Sequence, residues 1–168
     1  MNTKNIKPLK SIFIFIMLMA IMPFAEAAPQ GSNNSLRNYS SYSKLSSSVL
    51  LKKAERYLVN GVNTDSAMLC LTIVTLRYNK NMTDEDKIKV ISAYNGLWYI
   101  RFFTYFDYAK SYDALINAQH IANEINHSET QIQLNLGCFY QTLAEEGKDE
   151  KLMRKALDAY RIAFREGL

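Results

Sequence analysis

The chain has 168 residues, with 20 Lys and Arg against 16 Asp and Glu, and two cysteines. Three lysines and one glutamate fall within the first 27 residues, so the other 141 carry 17 basic and 15 acidic side chains. That near-neutral balance excludes the clustered basic face on which nucleic-acid binding depends, and 141 residues suffice for one domain with a real core.

Lys4, Lys7 and Lys10 form a positive start, Ser11 to Phe24 is an almost unbroken apolar run, and Ala25-Glu26-Ala27 supplies the small residues of a cleavage site. This layout predicts a secretory signal peptide over residues 1–27. The apolar run is shorter than the roughly 20 residues a spanning helix needs. An exported protein follows, periplasmic or secreted, with an uncleaved membrane anchor as the alternative. No Cys follows the run, which argues against a bacterial lipoprotein. Residues 28–47, rich in Ser and Asn, predict a flexible leader, and residues 48–168 a single helical domain. Asn33, Asn38, Asn81 and Asn126 head N-x-Ser/Thr triplets, which matter only in a eukaryotic secretory route.

From Val49 onward the apolar spacing is helical almost throughout. A first helix over 49–59 is stopped by Asn60-Gly61. A second is capped by Thr64 or Asp65, with Ala67, Leu71, Val74 and Tyr78 on one face. Thr83 with Asp86 resembles a capping box and opens a long third helix to about Tyr105. Asp107 begins a fourth to about Ile125, Ser128 with Gln131 a fifth to about Ala144, and Gly147-Lys148-Asp149 precedes a sixth. Six helices with short links and no alternating pattern predict an all-α fold of about three antiparallel helical hairpins. Cys70 and Cys138 both lie in apolar helical patterns; they either pair, as export would permit, or act as small buried hydrophobes.

Tyr94-Asn-Gly-Leu-Trp-Tyr99 and Asn135-Leu-Gly-Cys-Phe-Tyr140 are two versions of one helix signature, their glycines 41 residues apart. Ala54 with Tyr57 is a weaker first copy. The helix that follows each carries small, bulky and small residues at intervals of four and three: Ala156, Tyr160 and Ala163, or Ser111, Leu115 and Ala118 after a Phe106-Asp107-Tyr108 turn. Ala67, Leu71 and Val74 fit less well. Small residues let helices approach, and bulky ones fill the gap to the next hairpin.

These residues resemble the tetratricopeptide repeat family. The helices are longer than that family's: Gly96 to Ser111 spans 15 residues and Gly137 to Ala156 spans 19, against about 12 in the 34-residue unit. The resemblance implies a TPR-like α-solenoid, no catalysis, and a protein or peptide partner held on a concave surface made by the first helix of each hairpin. Counted from the glycines, that surface comprises Val90, Ala93, Leu97, Ile100 and Arg101 in the second hairpin. In the third it comprises Gln131, Leu134, Cys138, Gln141 and Thr142. These are mostly uncharged, which suits an extended peptide or partner helix better than an anionic tail. With the signal segment and the Arg77-Tyr78-Asn79 helix end, the chain is also similar to the sensory repeat region of membrane-bound regulators in Gram-negative bacteria. A signalling input domain is therefore the alternative to a cell-envelope interaction scaffold.

Chemistry-bearing groupings are sparse, and no cofactor is expected. His120, Glu124 and His127 share a helix face, but seven residues separate the histidines by about 10.5 Å along the axis. Zinc holds each nitrogen ligand at about 2.0–2.1 Å, so a solvated helix face is the better reading. The carboxylates of Asp84, Glu85 and Asp86 offset a helix dipole, and Glu145-Glu146 adjoin a turn. A processing enzyme using Glu124 or His127 is a distant third reading. The aromatic block from Trp98 to Tyr108 is expected to be hairpin core, with Tyr105 the ring best placed for exposure. The sixth helix carries Leu152, Met153, Leu157, Tyr160, Ile162 and Phe164, more than one neighbour can cover, so a longer natural chain or self-association through this helix is expected.

Overall fold

The structure is a computed structural model that describes residues 39–59 and 63–167. The signal segment expected over 1–27, the leader as far as 38 and the Asn60-Gly61 stop lie outside the described residues. Six helices of twelve residues or more follow in order: α1 (Ser47–Val59), α2 (Thr64–Thr75), α3 (Asp84–Phe103), α4 (Tyr108–Glu124), α5 (Thr130–Gly147) and α6 (Glu150–Glu166). No strand occurs among the described residues, and the all-α reading holds.

Local chemistry sets the helix starts. Thr83 accepts the Asp86 amide, and Asp107 and Asp149 accept the amides of Lys110 and Lys151, so orphan donors of the first turn are satisfied. Two expected caps differ. Asn63, and not Thr64 or Asp65, caps α2 by accepting the Ser66 amide. Glu129 stands at the cap position of α5, while Ser128 accepts only the Thr130 amide. Asn63 is one residue better placed among three side chains that could each serve.

Consecutive helices pack antiparallel in pairs. Lys87 at the start of α3 meets Glu124 at the end of α4, and Arg101 near the end of α3 donates to the Lys110 carbonyl at the start of α4. Glu166 accepts the Glu129 amide across the ends of α6 and α5. Arg77 closes the first pair: its guanidinium donates to Ser47 Oγ (3.1 Å) and to the carbonyls of Ser43 (2.9 Å) and Leu45 (2.6 Å). The Tyr42 and Tyr57 hydroxyls pair at 2.8 Å, with Lys53 over both rings. Residues 39–46, assigned from sequence to the flexible leader, are thus tied to α1 and α2.

Leu50, Val74, Val90, Leu97, Ile100, Leu115 and Ile132 are fully buried and form one continuous core. Trp98, Phe102, Phe139 and Tyr112 carry it from the second pair into the third by ring contacts of 5.3–5.7 Å between centroids. The aromatic block is core only in part. Trp98 and Phe102 are buried and Tyr99 and Tyr108 half-buried, whereas Phe103, Tyr105 and Phe106 are exposed. Cys70 is buried and Cys138 half-buried, and both are free thiols.

Candidate functional site

The two glycine signatures do not occupy equivalent surroundings. A Cβ on Gly96 would meet Leu71 of α2, in the preceding pair; a Cβ on Gly137 would meet the Tyr160 ring of α6, in its own pair. The same sequence element therefore turns one way in α3 and another in α5, and this decides which side chains reach the surface.

Val90, Ala93, Leu97 and Ile100, placed on the binding surface by counting from Gly96, are at most 2% exposed and lie in the core. Arg101 is half-buried, with its guanidinium on the Lys110 carbonyl. The accessible stripe of α3 lies about half a turn away and comprises Ile88, Ser92, Asn95, Tyr99 and Phe103. In α5 the expected positions are accessible: Leu134 is exposed, and Gln131, Cys138, Gln141 and Thr142 are half-buried. Ile88 to Leu134 and Ser92 to Cys138 are each 46 residues apart, five more than the glycines. Five residues amount to about 140° of helix rotation.

A row of amides joins the two stripes. Asn135, buried between α3 and α5, donates through Nδ2 to Asn95 Oδ1 (2.9 Å) and accepts from Gln131 Nε2 (3.0 Å) at its Oδ1. The Asn95 amide nitrogen and the Gln131 carbonyl oxygen stand at its two ends, one a donor and the other an acceptor. Gln141 is positioned from α6, accepting the Tyr160 hydroxyl (2.9 Å), while its amide donates to Glu145 (2.8 Å). The Thr142 hydroxyl donates back to the Cys138 carbonyl. Burial pushes the Cys138 thiol above its ordinary range, so at neutral pH it is a packing group and not a thiolate nucleophile. The face thus offers uncharged hydrogen-bonding groups beside Ile88, Tyr99 and Leu134, an arrangement suited to binding peptide groups. Asn95 and Asn135 lie within the repeated signature; Ile88, Ser92 and Phe103 emerge only once the rotation of α3 is known.

A second polar grouping lies where α2, α3 and α4 converge. Glu124 accepts the Tyr78 hydroxyl at both carboxylate oxygens (2.8 and 2.7 Å), with Lys87 Nζ at 3.4 Å and His120 Nδ1 at 3.3 Å. The Tyr78 hydrogen bond, with Lys87 beside it, holds the Glu124 carboxyl below its usual range, and the same bond raises Tyr78. Glu124 is therefore a tie between three helices, where its own helix suggests only a solvated face. His127 is exposed beyond the end of α4. No group of three or more metal-ligating side chains is assembled among the described residues. The Tyr105 ring, picked out from sequence for exposure, has its hydroxyl bonded to Asp65 at the start of α2. Comparison of the chain with protein-family models, with curated proteins and with solved structures finds no match.

Proposed function

We propose that this domain is an open stack of helical hairpins, similar to tetratricopeptide repeats. It serves as a non-catalytic interaction scaffold of the cell envelope and receives an extended, uncharged segment of a partner protein along the exposed stripes of α3 and α5. The observation that carries the reading is the Asn95–Asn135–Gln131 amide row, which ends in one donor and one acceptor beside apolar side chains. A peptide backbone offers the complementary pair, a carbonyl and an N–H, whatever its side chains. The reading is supported by the ring contact of Phe139 in α5 with Phe102 in α3, and by the packing of α3 on α1 and α2.

The test is selection of uncharged peptides against the full chain, followed by affinity measurement on surface variants. Leu134→Glu and Ser92→Glu each place a carboxylate on the face and should weaken the selected peptides about tenfold or more, roughly 1.4 kcal/mol. Peptides that bind both variants as tightly as the parent chain would sink the assignment.

A further inference from the structure

We propose that the cleft between α4 and α6, floored by α5, binds a free aliphatic α-amino acid by its two charged ends. α4 and α6 both pack on α5 and hardly on each other, and between them lies an open cleft of about 350 Å³. That volume is at the small end of ligand sites. Leu136, Ala159, Ile162 and the Tyr140 ring supply its apolar lining. Leu136 and Cys138 lie about 200° apart around α5, so the cleft opens on a different side of that helix from the peptide face.

The polar lining selects the occupant. Gln119 of α4 and Gln133 of α5 each donate an amide nitrogen to Glu129 Oε2, both at 2.8 Å. A carboxylate only accepts, so the orientation of both amides is fixed and their carbonyl oxygens are left as acceptors. Neither oxygen has a hydrogen-bond partner among the described residues, although Gln133 is only 5% exposed. The Glu129 charge behind the amides polarises them and strengthens both acceptors. Asp158 adds a carboxylate to the same lining; Arg161, 3.3 Å from it, does not line the cleft. The one donor cation is Lys155, its ammonium 5.4 Å from the centroid of the Tyr140 ring and in no ion pair among the described residues. Lys155 and Asp158 are three residues apart, about 4.5 Å along α6. Such spacing matches a ligand that carries an ammonium and a carboxylate on one carbon. A simple cation would meet Lys155, and a simple anion would meet Asp158 and the two amide oxygens. The zwitterion satisfies both sets and lays its aliphatic chain on Leu136 and Ile162.

The test is a titration of the isotope-labelled full chain, followed by NMR, with L-leucine, N-acetylleucine (no ammonium) and leucinamide (no carboxylate). Leucine should move the Gln119 and Gln133 side-chain amide signals saturably, with half-saturation at about 1 mM. Both blocked compounds should bind about tenfold more weakly. Lys155→Gln should weaken leucine about tenfold without weakening leucinamide, and Asp158→Asn should weaken leucine without weakening N-acetylleucine. Both positions are exposed, so the variants keep the fold, which circular dichroism checks. Absence of saturation up to about 50 mM overturns the proposal. Equal affinity for the three compounds overturns it as well, as does a leucine affinity that neither substitution changes. Ser92 and Leu134 do not line the cleft, so the peptide face is tested separately by its own variants.

Discussion

Gly96 lies so close to Leu71 that an added Cβ would come within 2.8 Å of Leu71 Cδ1. Here α3 rests on α2, and the contact spans two helix pairs. At Gly137 the corresponding contact is with the Tyr160 ring, within one pair. Leu71 can turn its terminal methyls aside, whereas Tyr160 is a flat ring tied at its hydroxyl to Gln141. Alanine also gains about 0.8–1.0 kcal/mol of helix propensity over glycine. Gly96→Ala should therefore lie within about 1 kcal/mol of the parent chain, while Gly137→Ala should lose about 1–3 kcal/mol by overpacking. Urea unfolding of the two variants measures the difference; equal losses would count against the two distinct contacts.

The turn between α5 and α6 offers a gain. Lys148 takes the left-handed conformation (φ 52°) while Gly147, one residue earlier, is helical with open space where a Cβ would stand. The glycine is one position away from where its freedom is useful. Gly147→Ala with Lys148→Gly should stabilise the fold by about 1–2 kcal/mol, read as a higher urea midpoint at unchanged slope.

Acid should loosen the junction of α2, α3 and α4. Glu124 is held low by the Tyr78 hydroxyl and by Lys87, Asp86 by Lys89, and Asp107 by Lys110. A carboxyl whose folded pKa lies below its unfolded value of about 4 stabilises fully above that value. The contribution is lost as pH falls through the folded pKa. The thermal midpoint should fall on acidification below about pH 4, and Glu124→Gln should make that dependence shallower.

Alkali acts through the hydroxyls and the thiol. Tyr42, Tyr105 and Tyr140 are raised to about 12, chiefly by burial, and Cys70 to about 11 for the same reason. Their neutral forms favour the fold, so stability is intact below the ordinary ionisation range and declines as pH rises toward 12. Tyrosine absorbance should show part of the phenolate titration displaced upward and coincident with loss of helical signal.

Trp98 is the single tryptophan, and its Nε1 is buried without a hydrogen-bond partner. Its emission should be blue-shifted relative to exposed indole and move to the red on unfolding, giving a probe of the α3–α5 junction. Trp98→Phe removes an unsatisfied donor along with part of the ring, so its cost should stay below the about 3–5 kcal/mol of a full truncation to alanine.

The order and pairing of the six long helices are legible because they depend on spacing of apolar residues and on short-range caps, whereas the helical turn over residues 39–42 falls in a stretch read as a flexible leader. The α3 half of the candidate face is not legible. A glycine within a helix announces that something comes close without saying from which side, and Gly96 and Gly137 are approached from different neighbours. Counting from both alike gave the accessible residues in α5 and core residues in α3. Arg77 and Glu124 were illegible for a related reason: each acts on residues 30 or more positions away, which no local pattern records. The bulky first residue of the turn, Phe106, gives no sign in sequence that it adopts a positive φ of 52°.

Pairing between neighbours also has a kinetic meaning. Each helix finds its closest partner next to it in the chain, and the main packing beyond neighbours is that of α1 on α3, one helix further on. Such low contact order favours fast folding, because little loop entropy must be lost before contacts form. The chain can therefore condense progressively from its amino-terminal side, each completed pair serving as the template for the next.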